Sequence, residues 1–149
     1  MIILEPKWKS WIVETTKPLF TPEQCQKIID CGRRQTPQQA SVGMGKPGGG
    51  VDTKKRTTTI SWIPFKEMPE MYNDLNNFIQ RANLNHFGFG NIQITENAQF
   101  TEYPVGGFYD WHMDCDVNMT HEPPVRKISM TILLNHESQF EGGELELMA

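Results

Sequence analysis

Residues 103–116, which read YPVGGFYDWHMDCD, decide the fold of this 149-residue chain. They contain a His-x-Asp step at His112 and Asp114. Side chains of a β-strand alternate between its two faces, so residues two apart point the same way. On a strand, the His112 imidazole and the Asp114 carboxylate would therefore converge on one point. Together they would form two of the three ligands of a 2-His-1-carboxylate Fe(II) site, which leaves metal positions open for small molecules.

Strand-forming sequence surrounds this step. Runs of β-branched, aromatic and alternating apolar residues are typical of strands. The predicted strands are residues 57–63, 92–103, 108–114, 125–135 and 144–148. Residues 116–124 are polar, contain two prolines and are predicted to be a loop. Glu141, Gly142 and Gly143 are predicted to form a turn.

Two helices are predicted before most of these strands. Thr21, Pro22 and Gln24 occupy the N-cap, N1 and N3 positions of a capping box, and the helix should end between residues 32 and 37. Residues 69–83 carry methionine and aromatic side chains at helical spacing, which we interpret as a core face and not as a cofactor site. Helices followed by antiparallel strands predict an α+β protein, mainly β, with helices packed on a sandwich or barrel.

The composition favours a single soluble globular domain. The net charge of −4 does not favour a nucleic-acid or anionic-membrane partner. The only basic run is Lys54, Lys55 and Arg56, which we interpret as a solvated loop. Three cysteines without a CxxC motif favour a reducing cytoplasmic location, and the first apolar run is too short for a signal peptide or a membrane span.

A longer pattern extends through the second half of the chain. In order, it comprises Tyr103, Gly106, Tyr109, His112, Asp114, Arg126, Leu134, Asn135, Gly142, Gly143 and Glu144. With these residues, positions 99–147 resemble the Fe(II)/2-oxoglutarate-dependent dioxygenases, specifically the prolyl 4-hydroxylase-like branch. The resemblance implies a double-stranded β-helix, or jelly-roll. Residues 1–149 would form one domain, with 1–90 as a helical support region and 91–149 as the first part of the jelly-roll core.

The same resemblance implies roles for individual residues. His112 and Asp114 would bind the iron, and the Tyr103 phenol would hydrogen-bond a carboxylate of 2-oxoglutarate. Tyr109 would line the mouth of the site near the substrate, as the candidate catalytic residue. Leu145 would face the co-substrate, although some family members carry a polar residue there. Arg126 would organise the loop after the ligands, with a plain surface arginine as the alternative interpretation.

The activity implied by the resemblance is that of a hydroxylase. Oxidative decarboxylation of 2-oxoglutarate by O2 would be coupled to hydroxylation of a C–H bond. The expected substrate is a peptidyl proline or a small molecule, and ascorbate is a further candidate cofactor.

One part of the family pattern does not occur in this sequence. The family has a second His, followed by an Arg or Lys, some tens of residues after Gly-Gly-Glu, and His86, His121 and His136 do not stand in that position. We therefore expect a jelly-roll that is incomplete at its C-terminus and inactive as this chain alone. Its unpaired strand edges would favour a homodimer. Two alternatives remain open, a non-catalytic jelly-roll binding module and a structural protein with a fortuitous His-x-Asp.

Overall fold

Two helices and a three-stranded antiparallel sheet form the main regular structure of the residues that the computed structural model describes, which are 10–40, 55–114 and 125–148. The elements follow one another as α1 (Pro22–Arg34), β1 (Gln38–Gln39), β2 (Thr59–Ile63), α2 (Pro69–Ala82) and β3 (Ala98–Glu102). A π-helical turn extends α2 through Asn83–Phe87, and a short 3-10 turn covers Glu137–Gln139. The architecture is therefore α+β, as predicted, but helices outweigh strands among the described residues, so the prediction of a mainly β protein is not borne out there.

Helix α1 begins at the capping box that the sequence predicts. The Gln24 backbone N–H donates to Thr21 Oγ1 at 3.2 Å, and the Thr21 N–H donates to Gln24 Oε1 at 2.8 Å. Pro22 takes the first helical position, where its missing N–H would have no partner within the helix. The helix ends at Arg34, within the predicted range. The start of α1 is therefore determined by local sequence.

The core lies between the two helices and one face of the sheet. Its buried members are Phe20, Ile28, Cys31, Ile63, Met71, Tyr72, Leu75 and Phe100. The apolar stripe of α2 supplies three of them, which confirms that this stripe is a core face. In the antiparallel register of β2 and β3, Ser61 lies opposite Phe100. Both residues meet α1 at Gly32, whose carbonyl accepts a hydrogen bond from Ser61 Oγ at 2.7 Å.

The opposite face of β2 is buried by a second set of residues. Arg56, Thr58 and Ile60 alternate along the chain with Thr57, Thr59 and Ser61, and each of the first three is less than 8% exposed. The backbone from Lys55 to Thr57 runs beside residues 108–110, with an isolated antiparallel bridge between Arg56 and Tyr109. The helices therefore cover one face of the sheet. On the other face, the segment that contains His112 and Asp114 runs beside the residues that lead into β2.

Several predicted strands are shorter than expected or form no ladder. The predicted strand 57–63 is paired only from Thr59, and 92–103 only over Ala98–Glu102. Residues 108–114 are not a strand, because their pairing stops at the bridge to Arg56. Residues 144–148 are exposed and form no strand. A jelly-roll is thus not shown, and the observed sheet among the described residues has three strands.

Residues 125–134 show why the strand prediction fails there. Their exposure alternates residue by residue, and Met130, Ile132 and Leu134 pack against the core. This is the period of a half-buried strand. Among the described residues no neighbouring strand pairs with the segment, so that the side-chain pattern is present without the ladder. The predicted loop 116–124 lies outside the described residues.

None of the helices in the described ranges combines the length and the apolar character that a membrane span requires.

Candidate metal centre

The His112 and Asp114 side chains come together although they do not lie on a strand. His112 Nε2 and Asp114 Oδ1 are 3.2 Å apart, and the two side chains are 35% and 52% exposed. The predicted convergence is therefore present, but irregular backbone produces it. The exposure leaves the pair accessible to a ligand from solvent.

The hydrogen bond at the other ring nitrogen of His112, Nδ1, determines whether Nε2 has a free lone pair. His112 Nδ1 lies 2.8 Å from the Asp110 carbonyl oxygen, which can only accept a hydrogen bond. Nδ1 therefore carries a proton, and in the neutral imidazole Nε2 presents its lone pair to the Asp114 carboxylate. Two lone pairs at this separation repel each other unless a proton or a cation lies between them. The donor set and its orientation thus fit two ligands of a divalent metal.

A stack of side chains supports the His112 ring. The Tyr109 ring lies parallel to it, with centroids 3.5 Å apart and an interplanar angle of 12°. The Arg56 guanidinium lies over the Tyr109 ring, with its central carbon 4.3 Å from the centroid. One ring face has room for one planar group at these distances, so Arg56 and His112 take opposite faces of Tyr109.

Arg56 corrects the interpretation of the basic run as a solvated loop. Its side chain is buried, at 6% exposure, and its Nε donates to Thr58 Oγ1 at 2.9 Å. Lys55 is exposed, whereas Lys54 lies outside the described residues. The signal that could have identified Arg56 is its position at the start of a β-branched strand, where alternation places it on the same face as Thr58 and Ile60.

Tyr103 lies at the edge of this cluster. Partial burial raises the pKa of its phenol, the Arg56 charge lowers it, and Tyr109 raises it. The side chain is nevertheless 55% exposed. A turn follows, in which the Gly107 N–H donates to the Pro104 carbonyl at 2.7 Å and Gly106 has a φ of +74°. Tyr103 is therefore a partly exposed phenol that Arg56 and Tyr109 influence electrostatically.

Arg126 contacts the candidate centre from the following segment. It donates to the Asp114 carbonyl oxygen and to a Glu96 carboxylate oxygen, each at 2.6 Å. Arg126 therefore has specific partners, whereas its role in organising the loop after the ligands stays a prediction, because residues 116–124 lie outside the described residues. Its contacts connect residues 125–134 to the backbone of a candidate metal ligand.

The described contacts of the cluster include neither Leu145 nor His136. Leu145 is 67% exposed, and its role stays a prediction. His136 is exposed and caps the Glu137–Gln139 turn, as an exposed turn histidine should. His121 lies outside the described residues. Within the part of the chain that the structure describes, no three His, Cys, Asp or Glu side chains form a group able to hold a metal.

One family model matches the part of the chain that contains His112 and Asp114. Residues 98–149 match the family model of the 2OG-Fe(II) oxygenase superfamily, which is about a third of the chain. The match supports that superfamily and an oxygenase-like function, and the family in general uses Fe(II) and 2-oxoglutarate. No curated protein and no solved structure matches the chain. Arg56 lies outside the matched residues.

Proposed function

We propose that this chain carries part of the active site of an Fe(II)- and 2-oxoglutarate-dependent oxygenase, with His112 and Asp114 as metal ligands. The observation that carries the proposal is the approach of His112 Nε2 to Asp114 Oδ1, within the segment that matches the superfamily. The Asp110 carbonyl fixes the tautomer in which Nε2 is free to bind a metal.

The chain's own residues would bind and orient the reactants. When bound, Fe(II) and 2-oxoglutarate supply the oxidising chemistry that activates O2 toward a C–H bond. The Tyr103 phenol would donate a hydrogen bond to a 2-oxoglutarate carboxylate, and Tyr109 would border the site on the substrate side. Trp111 and Met113, which flank His112 and are 57% and 69% exposed, would add apolar surface there.

The finer part of the proposal concerns the substrate. The order of Tyr103, Tyr109, His112, Asp114 and the Gly142–Gly143 pair is that of the prolyl 4-hydroxylase-like branch, which supports a peptidyl proline as the substrate. A small molecule is the other substrate class that the proposal admits. Binding of a proline-containing peptide to the Co(II)-loaded protein, compared with the same peptide carrying alanine in place of proline, tests the peptidyl class without requiring turnover by this chain.

Metal binding tests the proposed ligands. We expect His112→Ala and Asp114→Ala each to weaken binding of Co(II), a spectroscopic substitute for Fe(II), by at least about tenfold. Loss of a residue that only hydrogen-bonds a metal ligand typically lowers metal affinity about 10- to 100-fold, and loss of the ligand itself should lower it at least as much. The measurement is titration followed by visible absorption. His86→Ala is the matched control and should bind as the parent does. Equal affinity of the parent and His112→Ala would show that the His-x-Asp step is structural.

Co-substrate binding tests Tyr103. We expect Tyr103→Phe to weaken 2-oxoglutarate binding to the Co(II)-loaded protein by about tenfold, because a hydrogen bond to a charged group contributes about 1.5 kcal/mol or more. Calorimetric titration measures the change. Tyr109→Phe removes the same atom from a neighbouring ring and is the control, with affinity close to that of the parent. If both variants bind 2-oxoglutarate equally well, the role assigned to Tyr103 is wrong.

A further inference from the structure

Two contacts within the segment that matches the superfamily hold the His112 ring in place. Its Nδ1 has one hydrogen-bond partner, the Asp110 carbonyl, and one hydrogen bond leaves rotation about that bond open. The parallel Tyr109 ring, 3.5 Å away, removes this freedom because any tilt of the imidazole would bring the two rings into collision. The orientation of Nε2 therefore depends on where Tyr109 lies.

Tyr109 is in turn fixed from behind by Arg56. The guanidinium covers the ring face opposite His112, and it is itself held by its bond to Thr58 Oγ1. The backbones of the two segments are joined as well, since the Thr57 N–H donates to the Phe108 carbonyl at 2.9 Å and the Asp110 N–H to the Lys55 carbonyl at 2.8 Å. Residues 55–58 therefore support both the ring that His112 stacks on and the carbonyl that His112 bonds.

We propose that Arg56 is a positioning residue for the metal centre, which acts through Tyr109 to hold the His112 imidazole with Nε2 toward Asp114. This inference rests on the proposed function for its metal, but the orientation of His112 is a property of the protein without metal. Arg56 is suited to the task because a planar guanidinium stacks on an aromatic face, whereas an ammonium presents only a point charge.

The direction in which metal affinity changes when Arg56 is replaced distinguishes a positioning role from a purely electrostatic one. Removal of a positive charge near a cation site would by itself tighten metal binding. Loss of positioning would weaken it, by about tenfold for an outer-shell partner. We therefore expect Arg56→Gln to bind Co(II) about tenfold more weakly than the parent, and Arg56→Lys to be weakened as well although the charge is kept. Lys55→Gln, which removes the exposed neighbouring charge, should bind as the parent does.

A second pair of variants covers the case in which a change at buried Arg56 prevents folding. Tyr109→Phe keeps the stack and should keep the parent affinity for Co(II), whereas Tyr109→Leu removes the stack and should weaken binding by about tenfold. Circular dichroism confirms that each variant is folded. Equal binding by the parent, Arg56→Gln and Tyr109→Leu, all folded, would overturn the proposal.

Nuclear magnetic resonance of the metal-free protein separates this proposal from the proposed function. The His112 ring protons, assigned by their loss in His112→Ala, should be shifted by the Tyr109 ring current in the parent. In Arg56→Gln they should move toward the positions of an unstructured histidine. If the parent shows these shifts but binds no Co(II), the metal function fails and the positioning of His112 stands. If the parent binds Co(II) and Arg56→Gln changes neither the shifts nor the affinity, the positioning role fails and the metal function stands.

Discussion

Replacement of Gly32 by Ala is expected to lower the free energy of unfolding by about 2 kcal/mol, a typical loss for an overpacked core. A Cβ at this position would lie 2.3 Å from Cγ of Phe100 and within 2.7 Å of two further ring atoms. Neither partner moves freely, because the Phe100 ring is buried and Ser61 Oγ holds the Gly32 carbonyl. Alanine favours the helix by only about 1 kcal/mol, which is too little to offset the collision.

Urea unfolding measures this loss, and two further variants identify its cause. Gly90→Ala is the control, since a Cβ there meets nothing within 4 Å, and its stability should differ from the parent's by less than about 0.5 kcal/mol. The double variant Gly32→Ala with Phe100→Leu should lose less free energy of unfolding than the sum of the two single variants, because both changes affect the same contact. If Gly32→Ala is as stable as the parent, the Phe100 ring can move aside for the added Cβ, and the prediction is wrong.

Replacement of Tyr72 by Phe is expected to lower the free energy of unfolding by about 2 kcal/mol, because a buried backbone carbonyl and a part-buried N–H lose a partner. The Tyr72 hydroxyl donates to the Ile63 carbonyl and accepts from the Ala98 N–H at 2.6 Å. Ile63 and Ala98 are the last registered pair of β2 and β3. The hydroxyl of α2 thus connects the two strands at their end. Tyr103→Phe removes an exposed hydroxyl and should change the stability by less than about 0.5 kcal/mol.

The same hydroxyl should make stability depend on alkaline pH. Burial raises the pKa of Tyr72 above its ordinary value of 10.0, and the Ala98 N–H lowers it by a smaller amount. The neutral phenol is therefore favoured more strongly in the folded than in the unfolded protein. The contribution of the neutral Tyr72 phenol to stability is fully present below about pH 10 and is lost as the pH rises through the higher folded-state pKa. Unfolding followed from about pH 8 upward should show a steeper alkaline loss in the parent than in Tyr72→Phe, and equal slopes would contradict the assignment.

The helices were predictable because their signals are local. The Thr21 capping box and the stripe of α2 lie within a few residues of the structure that they specify. The strands were predicted less well because a ladder requires a neighbour, and residues 125–134 show the exposure of a strand without one among the described residues. Side-chain alternation reports which face is buried and carries no information on whether a partner strand lies alongside.

In the candidate site, too, the sequence predicted the local contact and missed the one that depends on a distant segment. The approach of His112 to Asp114 was predicted, since the two residues are neighbours in sequence, although irregular backbone and not a strand brings them together. Arg56 was missed because its role depends on a bridge to a distant segment, and a basic run alone does not indicate it. The assignment of Tyr103 and Leu145 to the co-substrate stays a prediction.

The bridge between residues 55–57 and 108–110 also has a consequence for the order of folding. The His112–Asp114 pair is local and can form early, whereas Thr57 and Phe108 are separated by 51 positions along the chain. Closing so long a loop is slow in comparison with forming local contacts. A partly folded chain would therefore offer a metal two loosely arranged ligands, and the oriented pair would arise only when the sheet has assembled. Metal added before refolding and metal added after it should then bind along kinetically different routes.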